Sequence, residues 1–216
     1  MAHQLIWVPD EKVAWAPAKV LEVKKGKSIR VQLNPLSGDG KEKKIEGDIS
    51  SFETTTVDEL SMECENLATL NSFNEGLILH HVKQRFSRGT IYTSVGTILV
   101  AVNPYRSLPI YEVDLMHTIW NKMKEEASLG DVPPHVFAIG AQALRKLQTE
   151  YSNQSILISG ESGAGKTETT KRILEFISNV AKSRVSEDSN VPIETQILES
   201  NPTLSVAHCE LFSQTL

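Results

Sequence analysis

Residues 155–167 read SILISGESGAGKT, and ETTKRILEFI follows at 168–177. An apolar run, a loop holding Gly160, Gly163 and Gly165, and a stretch with Ile173, Ile177 and Val180 at helical spacing predict strand, loop and helix in that order. Such a unit belongs in an α/β sheet. The loop, GESGAGKT at 160–167, fits G-x-x-x-x-G-K-[ST] at every position. Gly160 and Gly165 permit backbone torsions that a Cβ would oppose. Successive N–H groups can then face one concavity and hold an anion, and the helix after Lys166 adds its positive end. Lys166 would reach the β- and γ-phosphates of a nucleotide, and the Thr167 hydroxyl would bind Mg²⁺. The loop alone does not choose between ATP and GTP.

Upstream lies a second loop, NPYRSLPIY at 103–111. It overlaps the end of a stretch, 91–104, that reads as strand, turn, strand; the second half, 97–102, is apolar without alternation and reads as a strand buried on both faces. Pro104 and Pro109 stiffen the loop, and Asn103 is pushed toward extended torsions by the proline after it. A rigid loop at the end of a buried strand is where α/β sheets bind ligands. Asn103 offers the donor and acceptor that an adenine edge requires, and Tyr111 offers a ring. Taken alone, the stretch reads as a proline-stiffened surface loop.

Around these loops the spacing predicts helices. Residues 74–86 place Leu77, Ile78, Val82 and Phe86 on one face, and residues 112–125 do so with Val113, Met116, Ile119, Trp120 and Met123. Pro134 suits the first turn of a helix reaching about residue 150, with Val136, Gly140, Ala143, Leu144 and Leu147 inward. The neighbours His80 and His81 cannot face one ligand together on a helix, so they read as helix surface.

Residues 1–55 have another character. Short β-branched runs at 5–8, 13–23, 28–33 and 43–49 are separated by turn signals, and Ile29, Val31 and Leu33 alternate with Arg30 and Gln32. This predicts a small barrel with one wet face along the third strand. Trp7, Trp15 and Trp120 read as packing residues.

The 216 residues are 40% hydrophobic, enough for a core, and carry a net charge of −5, which argues against nucleic acid as the main partner. Cys64 and Cys209 stand alone, outside any metal-ligand spacing. No apolar run approaches the roughly 20 residues of a membrane span.

Four stretches in one order, NPYRSLPIY, PPHVFAIG, NQSILISGESGAGKTETTKRIL and ESNP, together resemble the myosin motor head over about residues 56–204. Residues 1–55 look like the SH3-like barrel that many myosins carry before the motor. The resemblance implies an α/β P-loop NTPase-type core, incomplete here, behind that barrel. It also implies ATP with Mg²⁺ as ligands, actin as the partner of the full-length family, and a place in the cytoplasm on the actin cytoskeleton. Carried over by position, the purine loop comprises Asn103, Pro104, Tyr105 and Tyr111. The phosphate site comprises Gly160, Glu161, Ser162, Gly163, Ala164, Gly165, Lys166 and Thr167, with Thr167 also the metal ligand. The family places a carboxylate near adenine in the loop where Glu187 lies.

From about Ser205 to Leu216 the tail does not match, and switch I is not found. A near copy of switch II, DISSFE at 48–53, sits before the glycine loop instead of after it and has Ser51 in place of the close-approach glycine, so it reads as a barrel turn. The expectation is an ATP-binding portion of an actin-based motor ATPase, truncated and without motor activity, with no assignable catalytic residue. The alternative is an SH3-like interaction module with a non-catalytic nucleotide-binding remnant, which needs an exposed aromatic groove on residues 1–55. An unrelated P-loop kinase or ATPase needs an apolar strand ending in Asp after the loop, which 168–216 do not supply.

Overall fold

Alternating runs at the start of the chain become four strands, β1 (Gln4–Asp10), β2 (Ala14–Lys24), β3 (Ser28–Leu33) and β4 (Glu42–Glu46). They pair antiparallel in chain order, and β5 (Thr54–Thr56) joins the other side of β1, giving the order β4-β3-β2-β1-β5. The computed structural model describes residues 4–24, 28–33, 41–46, 48–125 and 128–182. These fall into two compact units, Met1–Ala101 and Val102–Leu216.

In the first unit, residues 5–8 of β1 are buried on both faces. Ile6 and Val8 join Ala16, Ala18, Ile29, Val31 and Leu33 in one cluster. Leu5 and Trp7, pointing the other way, join Leu60, Cys64, Leu67, Leu70 and Leu77 in a second. Two cores thus share one strand. The alternation expected in β3 is present, with Ile29, Val31 and Leu33 buried and Arg30 and Gln32 exposed.

The DISSFE stretch forms a single 3-10 turn, Ile49–Ser51, capped by Asp48, whose carboxylate accepts from the Ser50 N–H at 3.1 Å. That hydrogen bond lowers the Asp48 pKa. The chain then enters α1 (Val57–Ser61) through a capping box of Thr56 and Glu59.

α2 (Glu75–Ser87) forms where the spacing predicts a helix and is capped by Asn74, but its buried stripe differs. It buries Leu77, His81 and Arg85, while Phe86 is exposed. His81 is therefore not surface: its ring is fully buried, and burial lowers its pKa. Arg85 earns its place inside by donating to Tyr92 O and Thr93 Oγ1, which a hydrophobicity pattern cannot reveal. Gly76 lets α2 close on Trp7; a Cβ there would lie 2.4 Å from the indole.

β6 (Tyr92–Val95) and β7 (Ile98–Ala101) make the expected hairpin, turning at Gly96 with φ +60°. The expectation of a second strand buried on both faces is not met. Ile98 is 66% exposed, because among the described residues β7 pairs with β6 alone.

The second unit is helical. α3 (Val113–Lys124) buries Met116, Ile119, Trp120 and Met123, as its periodicity predicts. α4 (Val136–Glu150) begins after Pro134, not with it: His135 is the N-cap and accepts from Phe137 N–H. Its first half is buried, while Leu147 near its end is exposed. α5 (Lys166–Lys182) buries Ile173, Phe176 and Val180.

Residues 155–159 correct the sequence reading. They run into the glycine loop but form no strand, and among the described residues none pairs with them. An inner strand is defined by hydrogen bonds to neighbours on both sides, and apolar composition does not supply those neighbours. Leu157 is 92% exposed. With α4 and α5 the segment borders an apolar groove of about 770 Å³, lined by Leu144, Leu147, Ile156, Ile158, Ile173 and Ile177 among others.

Candidate nucleotide-binding site

The two loops singled out by sequence meet in the second unit. Asn103 Nδ2 donates to Gly163 O at 2.7 Å, and Asn103 Oδ1 accepts from Tyr105 N–H at 2.9 Å. The Asn103 carboxamide thus holds its own loop in shape and ties it to the glycine loop. Tyr105, left-handed at φ 50°, is 83% exposed, with its hydroxyl 3.6 Å from where a Cβ on Gly163 would stand.

Gly163 and Gly165 have φ of +79° and +95°, which favour glycine over any other residue. Lys166, the first residue of α5, folds back over the loop and donates to Gly160 O at 2.8 Å and Glu161 O at 2.9 Å. Those two carbonyls hold the ammonium against the loop. Ser162, Ala164 and Thr167 lie exposed along the same rim. Thr167 stands in the first turn of α5, at the positive end of the helix.

Tyr111 ends the first loop with its ring already engaged. The Arg172 guanidinium carbon lies 4.3 Å from its centroid, and the rings of His135 and Phe137 approach at 5.9 and 6.0 Å. His135 is fixed in one tautomer: Nδ1 accepts from Phe137 N–H at 3.1 Å, so Nε2 donates to Ile110 O at 3.0 Å. Burial lowers its pKa to about 4 and keeps the ring neutral. Pro104 is half-buried beside Asn103. Glu187 and everything from 183 to 216 lie outside the described residues.

Sequence reasoning named the loops but missed their braces. His135 lay in a quoted motif without a role, and its place before a helix was the available signal. For Arg172 there was only its spacing from Glu168 and Glu175 on a helix. Among the described residues no group of three or more His, Cys, Asp or Glu could hold a metal ion, and no helix is long and apolar enough to cross a membrane.

A glycine loop crossed by its own lysine runs into a helix N-terminus and is hydrogen-bonded to a proline-stiffened second loop. The profile of the myosin head (motor domain) family matches residues 64–207. The chain is 38% identical over 202 residues to Myosin-14 of Arabidopsis thaliana, covering 92% of this chain and 12% of that protein. It is 36% identical over 200 residues to myosin type-2 heavy chain 2 of Schizosaccharomyces pombe, covering 92% and 9%. The chain belongs to the myosin head (motor domain) family. It spans about a tenth of the length of these curated relatives.

Proposed function

We propose that this chain is the nucleotide-binding part of a myosin motor head, an actin-based motor ATPase of the cytoplasm. Its loop 103–111 would face the base of ATP, and 160–167 would hold the triphosphate with Mg²⁺. The observation that carries this reading is the 2.7 Å hydrogen bond from Asn103 to Gly163, which joins two motifs 60 residues apart.

The residues fit the group. Lys166 can exchange the Gly160 and Glu161 carbonyls for phosphate oxygens, and the positive N-terminal end of α5 begins at the same residue. The Thr167 hydroxyl would hold Mg²⁺, which would supply positive charge against the phosphates. The described residues include no group assignable to orienting an attacking water, so the activity proposed for them is binding. Residues 1–55 are proposed as an SH3-like barrel set before the motor part. The interaction-module alternative is weakened because Trp7 is 2% exposed and packs in a core, and the groove of about 230 Å³ that it lines with Trp15 is also lined by Leu79, His80 and Lys83, outside residues 1–55.

The test is titration of the chain and of Lys166→Ala with a fluorescent ATP analogue in Mg²⁺. The variant is expected to bind at least about tenfold more weakly, as for loss of a charged phosphate contact. Equal binding by the two proteins sinks the assignment.

A further inference from the structure

Arg172 stands in the second turn of α5, the helix that begins at Lys166. Its terminal nitrogens reach Glu168 at 2.7 Å and Glu175 at 3.0 Å, one turn below and one above. Those carboxylates anchor the guanidinium to α5 itself. Its carbon then lies 4.3 Å from the Tyr111 centroid, on the loop proposed to face the base. From α4, His135 donates to Ile110 O and Phe137 packs on Tyr111, while Phe137 stacks on Phe176 of α5 at 5.4 Å. The loop is therefore held at both ends, to the glycine loop by Asn103 on Gly163 and to the helix that follows by Arg172 on Tyr111.

We propose that Arg172 is a positioning residue for the base, holding the Tyr111 ring so that 103–111 accepts an adenine nucleotide in register with the phosphates. The inference rests on the reading of 103–111 as the base loop and extends it to a residue on the phosphate helix. The guanidinium is needed because one group must stand over a ring and serve two carboxylates through separate nitrogens; a lysine ammonium can do one or the other. Discrimination between bases then depends on Arg172, while the grip on phosphate does not.

The experiment titrates Mg²⁺ with ATP, GTP or inorganic pyrophosphate calorimetrically into the full chain. For Arg172→Lys, ATP affinity is expected to fall about fivefold to tenfold, the range a desolvated cation–π contact supports. Pyrophosphate affinity should hold, which also reports an intact fold, and the preference for ATP over GTP should shrink. Tyr111→Leu should reproduce the loss, and the double variant should add little to it. An unchanged ATP-to-pyrophosphate ratio in Arg172→Lys, or losses that multiply in the double variant, overturns the proposal. Lys166→Ala separates the two readings. If it leaves pyrophosphate binding intact, the phosphate-loop assignment fails and this inference falls with it. If it abolishes binding while Arg172→Lys shows no base effect, only the inference falls.

Discussion

LIWV at 5–8 and SILIS at 155–159 are similar strings of apolar residues with different fates. In β1 all four side chains are buried, with Val8 at 0% exposure. In 155–159 no strand forms, and Leu157 stands 92% exposed over an apolar groove. The difference lies in where the partners come from. β1 pairs with β2 across the short connection after Asp10 and with β5 within the first 56 residues, and α2 closes over its second face. Residues 155–159 have α4 and α5 beside them but no strand among the described residues. Local meanders complete themselves; the centre of an α/β sheet is completed only by distant chain.

The largest expected effect tests the complete side. Trp7→Ala should cost about 3–5 kcal/mol in urea denaturation, the range for deleting a large buried aromatic. The indole Nε1 is buried without a hydrogen-bond partner among the described residues, so the loss is one of packing. A change under about 1 kcal/mol would mean that the two-core arrangement around β1 is wrong.

Next comes acid. His135 is held at a pKa of about 4 by burial, below its ordinary value of 6.5. Above pH 6.5 the ring is neutral in folded and unfolded chains, and its contribution is whole. As pH falls from about 6.5 toward 4, the unfolded chain takes up a proton that the folded chain refuses, so stability drops, by up to about 3 kcal/mol. His81 in the first unit has the same sign, since burial lowers its pKa too. Denaturation midpoints for the parent and His135→Gln should converge as pH drops from 7 to 4.5. Parallel curves would remove His135 as the acid-sensitive brace of Ile110.

Gly76→Ala probes the same core from the helix side. The new Cβ would sit 2.4 Å from the Trp7 ring, so strand or helix must move. Overpacking of this kind costs about 1–3 kcal/mol, partly offset by about 1 kcal/mol of helix propensity. Combined with Trp7→Phe the cost should shrink, because the two changes share one space. Strict additivity would mean that Gly76 is replaceable without touching Trp7.

Legibility in the sequence followed the same division. β3, α3 and the β6–β7 hairpin were readable because each signal is local: alternation, a 3.6 period, or a glycine turn between apolar runs. The two loops could be singled out because their Gly, Pro and Lys stand in a fixed spacing, which is also a local signal. His81 and Arg85 were not, since a buried polar side chain is licensed by burial or by partners that a pattern of hydrophobicity does not record. The strand at 155–159 was misread for the opposite reason. Its composition suits an inner strand, but pairing is a property of neighbours. His135 and Arg172 fell between these cases: each stood beside a motif, and its role became visible only through a hydrogen bond to Ile110 or a ring contact to Tyr111.

The smallest expected effect on stability belongs to Leu157. At 92% exposure it contributes almost no burial, so Leu157→Lys should change the denaturation midpoint by less than about 0.5 kcal/mol. Its effect on association should be larger. An exposed apolar segment with unpaired backbone groups beside an apolar groove invites other chains to pair with it. Light scattering on purified chain should therefore find self-association that Leu157→Lys reduces, with the fold unchanged by circular dichroism. If instead the charge destabilises the chain by several kcal/mol, Leu157 is covered, and the contrast with β1 dissolves. If scattering finds the parent chain monomeric, the groove is not a docking edge for a second copy, and the exposed run is tolerated in the way that single surface leucines are.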